Sequence, residues 1–257
     1  MNAGQQWVAF TTILVKEVRR FMRIWQQTLL PPAITIALYF VIFGKLIGPR
    51  IGEMSGFTYI EFVVPGLIMM SVITNAYGNV VSSFFGTKFQ RSIEELLVSP
   101  VPNYIILLGY VIGGVVRGLA VGVIVTLLSL FFTDLQVSHL GVTVAIVFLT
   151  AVLFALAGFI NAVFANSFDD ISIIPTFVLT PLTYLGGVFY SISMLPPFWQ
   201  VVSLANPVLY MVNTFRYGLL GVSDINVAWA FVMVTGFCAL LFFFSLFLLE
   251  RGKRLRS

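Results

Sequence analysis

Residues Val227 to Leu249 read VAWAFVMVTGFCALLFFFSLFLL, a run without a single charge. A helix of that length rises about 35 Å at 1.5 Å per residue, enough to cross the roughly 30 Å hydrocarbon core of a bilayer. Five more runs upstream read the same way: Thr28 to Ile47, Phe62 to Phe85, Tyr104 to Phe132, Leu140 to Phe164 and Ile171 to Tyr190. Each reaches the roughly 20 residues that a span requires. The composition agrees, because only 9% of the 257 residues are charged and 59% are hydrophobic. A soluble domain carries about 25% charged residues. This chain has too few polar groups to cover a surface in water, so lipid is its solvent. The predicted fold is all-α and integral to the membrane, with six transmembrane helices.

Several functions are excluded early. The lone cysteine, Cys238, lies inside an apolar run and has no partner for an intramolecular disulfide. The lone histidine, His139, has no Cys or His near it in sequence, which argues against a zinc or haem site. The net charge of +4 comes from basic residues flanking apolar spans. That placement points to lipid headgroups and not to nucleic acid. The first long apolar run follows a basic amphipathic stretch without a small-residue cleavage site, so no cleavable signal peptide is predicted.

Before the first span, Trp7, Phe10, Leu14, Val18, Phe21 and Trp25 recur at spacings of three and four and share one helical face. Lys16, Arg19, Arg20 and Arg23 sit beside that face. The pattern predicts an amphipathic helix lying in the cytoplasmic interface, and the two tryptophans favour this over a merely solvated lead-in. Orientation follows from the remaining cations. With the N-terminus inside, Lys16, Arg19, Arg20, Arg23, Lys88, Arg91, Arg251, Lys253, Arg254 and Arg256 are cytoplasmic. Lys45, Arg50 and Arg216 fall outside, and Arg117 lies within a span. Ten against three places both termini in the cytoplasm, in keeping with an even number of spans.

Two connections stand out. In Lys88 to Ser99, Phe89, Ile93, Leu96 and Leu97 fall on one stripe, with Glu94 and Glu95 off it. Ser92 and Glu95 have capping-box spacing, and Pro100 and Pro102 end the segment. It is too short to span and reads as a cytoplasmic amphipathic helix. The second connection, Ser191 to Ser223, is as apolar as a span but is broken by Pro196, Pro197 and Pro207. Its pieces, Phe198 to Ala205 and Val208 to Leu220, read as re-entrant or interfacial segments on the outer side. Trp199, Tyr210 and Tyr217 suit the headgroup boundary there.

No catalytic or metal site emerges. Gly86-Thr87-Lys88 and Gly252-Lys253 lack the spacing of a nucleotide-binding glycine loop, so the chain is not expected to hydrolyse ATP or to hold a cofactor by itself. Serines and threonines inside spans, such as Ser71, Thr74 and Thr126, are expected to bond to helix carbonyls. Arg117 is the one deep charge, and Glu61, near the outer end of the second span, is its expected partner. Asp169 and Asp170 precede the fifth span and are expected to cap it, with a coupling role at the cytoplasmic face as the alternative. The glycines at 109, 113, 114, 118 and 122 allow close helix approach, more readily within one subunit than at a dimer seam.

Four stretches carry a resemblance: Phe62-Val-Val-Pro-Gly-Leu-Ile-Met-Met, Arg91-Ser-Ile-Glu-Glu-Leu-Leu-Val-Ser-Pro, Leu179-Thr-Pro-Leu-Thr-Tyr-Leu-Gly-Gly-Val-Phe-Tyr and Leu204-Ala-Asn-Pro-Val. With the order of elements, they make the chain similar to the type-2 ABC exporter permease family along nearly its whole length. The resemblance implies a single permease domain over residues 1–257. Residues 1–27 would form the interfacial helix, 28–190 spans one to five, 191–226 the outer re-entrant region, 227–249 the last span and 250–257 a cytoplasmic tail. It implies a bacterial inner-membrane location. It also implies two permease copies, as a homodimer, above two separate ATPase subunits that bind ATP and Mg. Arg91, Glu94, Glu95 and Leu96 would then belong to the helix that receives the ATPase movement. Lys16, Arg19, Arg20 and Arg23 would belong to the helix resting on that subunit.

The expected cargo is hydrophobic or amphipathic, a drug or a lipid, because the spans offer few fixed charges to a polar one. A lipid-linked glycan is the alternative, with Tyr39, Tyr184 and Tyr190 as stacking surfaces. An intramembrane lipid-modifying enzyme would need polar residues clustered at one depth. A secondary carrier would need midplane carboxylates. Neither feature is present in the sequence. The charge asymmetry makes a prediction. Single cysteines at Lys253 and Ser223, in a Cys238→Ala background, are treated in intact cells with an impermeant thiol reagent. Position 223 is labelled and position 253 is protected; the reverse pattern inverts the topology.

Overall fold

The computed structural model describes residues 1–252, so Lys253, Arg254 and Arg256 of the predicted cytoplasmic tail lie outside the described residues. Helix α1 (Ala3–Arg23) opens with a capping box in which Asn2 and Gln5 each accept from the other's backbone amide. The first apolar segment, Trp25–Ile51, contains α2 (Trp25–Thr28), α3 (Leu30–Val41), a π-helical stretch Ile42–Ile47 and α4 (Gly48–Ile51). A hairpin of two-residue strands follows, β1 (Glu53–Met54) with β2 (Phe57–Thr58), in the register Glu53 to Thr58 and Met54 to Phe57. Its turn residues, Ser55 and Gly56, both have positive φ. This hairpin interrupts a chain that is otherwise helical and loop among the described residues, in keeping with the all-α reading.

Next come α5 (Tyr59–Phe89), α6 (Ser92–Val98), α7 (Asn103–Ser129) and α8 (Leu140–Phe164). The chain continues through α9 (Asp170–Ile174), a π-helical stretch Pro175–Leu179 and α10 (Thr180–Tyr184). It ends with α11 (Pro197–Leu204), α12 (Pro207–Leu220) and α13 (Val227–Arg251). Five helical segments among the described residues are long and apolar enough to cross a membrane: Trp25–Ile51, Tyr59–Phe89, Asn103–Ser129, Leu140–Phe164 and Val227–Arg251.

The predicted fifth span, Ile171 to Tyr190, is different. It is made of three successive five-residue pieces ending at Tyr184, after which the chain turns at Gly187 with φ 72°. Such a helix rises about 22 Å, less than the other spans, and residues 185–190 would have to contribute to any crossing. Prolines explain both π-helical stretches. Pro49 and Pro181 each follow a π stretch by two residues, and a proline ring collides with the carbonyl four residues earlier. Widening the preceding turn moves the Lys45 and Phe177 carbonyls aside without breaking the helix.

The bundle is arranged around α5, the most enclosed of the long helices, with Val64, Leu67, Met69, Val72, Ile73, Ala76 and Val80 fully buried. Helices α7 and α8 press directly on its backbone. A Cβ on Gly158 of α8 would lie 2.5 Å from the Tyr77 carbonyl oxygen, and one on Gly118 of α7 would lie 3.1 Å from that of Val72. The glycine stripe of α7 serves two neighbours in the same chain. Gly114, Gly118 and Gly122 admit α5, while Gly109 and Gly113 admit Ile13 and Glu17 of α1. The predicted capping of α9 is corrected in detail. Asp169 makes no capping bond. The Ser167 hydroxyl instead accepts from the Asp170 amide, while the Asp170 carboxylate accepts from the Asn166 and Ser167 amides. Those bonds, chiefly the one from the Asn166 amide, hold the Asp170 carboxyl below its usual range.

The close approach of α8 to α5 is testable. Gly158→Val is expected to lower stability by roughly 1–3 kcal/mol through overpacking against backbone that has no room to retreat. Gly236→Ala on α13, where an added Cβ meets nothing within 4 Å, is expected to be neutral. Thermal unfolding of the two purified variants in detergent makes the comparison.

Candidate functional site

Three groups of residues organise the molecule, at the end of α5 near α6, along α1, and in the segments before α12. The chain leaves α5 at Gln90 and turns through Arg91, a non-glycine residue in the left-handed region with φ 59°. The turn swings α6 back so that Ile93 is buried and Leu96 and Leu97 pack partly against the core. Glu94 and Glu95 are exposed, in the first turn, where carboxylates complement the positive end of a helix. The expected capping box of Ser92 and Glu95 does not form, because the Ser92 hydroxyl donates instead to the Thr87 carbonyl of α5. That bond fixes α6 to α5. The Lys88 ammonium, one residue further, donates to the Val163 and Ala165 carbonyls at the end of α8.

Helix α1 packs along the first half of α7, from Gln6 beside Tyr104 to Glu17 beside Gly113. The predicted cationic set divides. Arg19 and Arg23 are exposed and Lys16 is half exposed, whereas Arg20 turns inward and donates to the Asn79 carbonyl and side-chain oxygen of α5. The sequence reading missed the residue that draws it in. Glu17 is fully buried, accepts from the Ser83 hydroxyl at 2.7 Å, and stands 3.4 Å from Arg20 and 3.8 Å from Lys16. Its signal in the sequence was a lone carboxylate spaced by fours between Ile13 and Phe21, the buried positions of α1.

The expected pairing of Arg117 with Glu61 is overturned. Glu61 accepts from the Thr58 amide and hydroxyl in a capping box at the start of α5. Arg117 lies near the middle of α7 and donates to the Thr28 carbonyl and the Asn75 side chain, at 3.4 and 3.3 Å. Glu61 stands in the first turn of α5 and Arg117 near the middle of α7, so the two lie at different depths. A charge at such depth costs at least about 2.5–3.5 kcal/mol.

At the other end of α5, two of the four stretches singled out in the sequence meet at Arg216 of α12, and a third packs beside them through Asn206. Arg216 is 1% exposed, donates to the carbonyls of Phe62 and Gly187 and to Asn213, and lies 3.8 Å from the centre of the Phe62 ring. Asn206 caps α12 by accepting from the Val208 amide and also donates to the Leu182 carbonyl of α10. Gly66 of α5 admits the Val188 backbone. Arg216 had been read as a positive charge of the outer loop. Its enclosure was legible only as a single cation inside an otherwise apolar half-helix.

This architecture, with a short helix fastened to the end of a central span, a basic N-terminal helix and a pair of proline-led half-helices before the last span, belongs to a membrane component of transport. The chain is a member of the ABC-2 type transporter family, whose model matches residues 8–220. It is 62% identical over 252 residues, 98% of each chain, to the inner membrane transport permease YadH of Escherichia coli (strain K12). It is 26% identical over 219 residues, 83% of this chain and 82% of the other, to nodulation protein J of Rhizobium meliloti (strain 1021).

Replacing Arg216 tests the outer node. Arg216→Met leaves the Gly187 carbonyl without this donor and removes a second bond to the helical Phe62 carbonyl, at about 1–3 kcal/mol for a buried group left unpaired. The expected result is a clear fall in the detergent melting temperature, with Arg216→Lys between the two. An unchanged melting temperature in Arg216→Met would show that the node holds nothing together.

Proposed function

We propose that the chain is the membrane-spanning permease of an ATP-driven exporter in a bacterial inner membrane. Two copies form the pathway, as a homodimer, above two ATPase subunits that bind ATP and Mg. Both termini face the cytoplasm, and the short helix from Asp170 to Tyr184 acts as a sixth, distorted span. The family assignment and the inner membrane permease relative support this reading. So does the basic asymmetry of the loops.

The observation that carries it is α6. A helix this short has little reason to persist unless packing holds it, and it is held by a buried Ile93 and by the Ser92 bond to α5. Its carboxylates, Glu94 and Glu95, remain uncovered, as do Arg19 and Arg23 of α1. Together they offer charged groups of both signs to a partner on the cytoplasmic side. A push on α6 is transmitted to α5 through Ser92 and Thr87, and from α5 to the end of α8 through Lys88. The substrate reading is a hydrophobic or amphipathic molecule moved outward. The exposed apolar faces of α3 and of α9–α10, with Leu30, Ile34, Leu38, Ile173 and Phe177, support an apolar route. The tyrosines considered for glycan stacking are partly occupied within the chain. The Tyr39 and Tyr184 hydroxyls bond each other at 3.1 Å, and Tyr184 stacks on Phe189.

Charge reversal on α6 tests the coupling role. Glu94→Lys with Glu95→Lys leaves the permease folded and inserted, because neither side chain is buried. It releases the ATPase or uncouples its hydrolysis from transport, measured by co-purification and by substrate-stimulated hydrolysis in lipid. Normal partner binding together with normal stimulation removes the coupling role from these two residues.

A further inference from the structure

Arg117 has the poorest set of partners of any deeply placed charge among the described residues. Its two hydrogen bonds, at 3.3 and 3.4 Å, are long and go to neutral oxygens. Its Nε is buried without a partner. The two ion pairs among the described residues both use Glu17, and neither includes Arg117. Glu17 is already engaged by Arg20, Lys16 and the Ser83 hydroxyl. Arg117 is therefore a deeply placed cation with no carboxylate within ion-pair distance among the described residues.

Beside Arg117 is a cavity of about 360 Å³, lined by residues that include Thr35, Ile36, Tyr39, Met70, Ser71 and Thr74. That volume is within the usual range for small-ligand sites, roughly 300–1,000 Å³. The Ser71 and Thr74 hydroxyls donate to carbonyls of their own helix, at Leu67 and at Met70 and Ser71. The guanidinium is thus the charged donor available to an occupant. Next to the cavity runs the exposed apolar face of α3, with Leu30, Ile34 and Leu38. A planar guanidinium with fixed donors suits a phosphate or carboxylate group, and the adjacent apolar strip suits a hydrocarbon tail.

We propose that this cavity receives the anionic headgroup, phosphate or carboxylate, of an amphipathic molecule whose tail lies along α3, with Arg117 as its counter-ion. The inference rests on the permease reading above and narrows its substrate to an anionic amphiphile.

The test uses the full chain with its ATPase in phosphatidylcholine nanodiscs and three probes: dodecyl phosphate, neutral dodecyl maltoside and inorganic phosphate. Wild type is expected to bind dodecyl phosphate about tenfold more tightly than dodecyl maltoside, Arg117→Gln to abolish that preference and Arg117→Lys to keep part of it. Thr74→Phe fills the cavity from a side chain bonded only within its own helix, and is expected to weaken dodecyl phosphate binding about fivefold or more with Arg117 in place. This variant decides the matter if Arg117→Gln does not fold. Equal binding of the phosphate and maltoside amphiphiles by wild type overturns the proposal. So does a preference that survives in folded Arg117→Gln, or binding unchanged in Thr74→Phe. Inorganic phosphate competing as well as dodecyl phosphate overturns the assignment to an amphiphile. ATPase co-purification is scored on the same samples. A retained partner without a phosphate preference removes this site alone, and a lost partner with the preference intact removes the exporter reading alone.

Discussion

The close approach of α7 and α8 to the backbone of α5 is the constraint on which the rest of the molecule depends. In lipid, apolar surface gains nothing by leaving one hydrocarbon environment for another, so helices associate through contact and hydrogen bonding. Glycines at 114, 118 and 158 remove the side chains that would hold these helices apart, and α5 is enclosed along most of its length as a result. That enclosure makes α5 a rigid post. Its Thr58–Glu61 capping box fixes one end, and Lys88 and Ser92 tie the other end to α8 and α6. A helix so held transmits displacement along its axis, which a loosely packed one would absorb in side-chain rearrangement.

Around that post the polar groups are segregated by depth. Glu17, Arg20, Ser83 and Asn79 fasten α1 to α5 on one side. Arg216, Asn206 and Asn213 fasten α12 to the start of α5 and to the turn after α10 on the other. In the Arg216 cluster the backbone carbonyls of Phe62, Gly187 and Leu182 accept from the buried side chains, partners that remain available where no water is present. Between the two lies Arg117, supported by only two long bonds. By contrast, α3, α9 and α10 carry little of this fastening and keep broad exposed apolar faces. The chain thus combines a tightly keyed interior, α5 with α7, α8 and α12, and a looser margin that faces lipid or a partner.

Much of this was legible in the sequence. Apolar run length located five segments that the structure forms as long helices. Proline positions separated α11 from α12 and ended α6. Amphipathic spacing found α1 and α6, and the glycine stripe was correctly read as packing within the subunit. These features survive because they depend on local rules: rise per residue, the missing amide of proline and helical periodicity. The segment Ile171 to Tyr190 departs from one continuous helix for a related reason. Hydropathy registers solvent preference but does not register where Gly187 and the prolines make the chain turn.

Polar pairing is where the sequence ran out. Glu61 and Arg117 looked like partners because they were the carboxylate and the cation that the spans offered, yet Glu61 closes the first turn of its own helix. Glu17 drew no reading at all and Arg216 was read as a charge of the outer loop, but both are buried. By itself the sequence determined that the chain is a helical membrane protein, where most of its helices begin and end, and which faces carry charge. Only the tertiary structure decided which charges are enclosed and which groups meet them. Burial and hydrogen-bond partners depend on helices far apart in sequence coming together at particular depths and rotations, and no local periodicity encodes those distances.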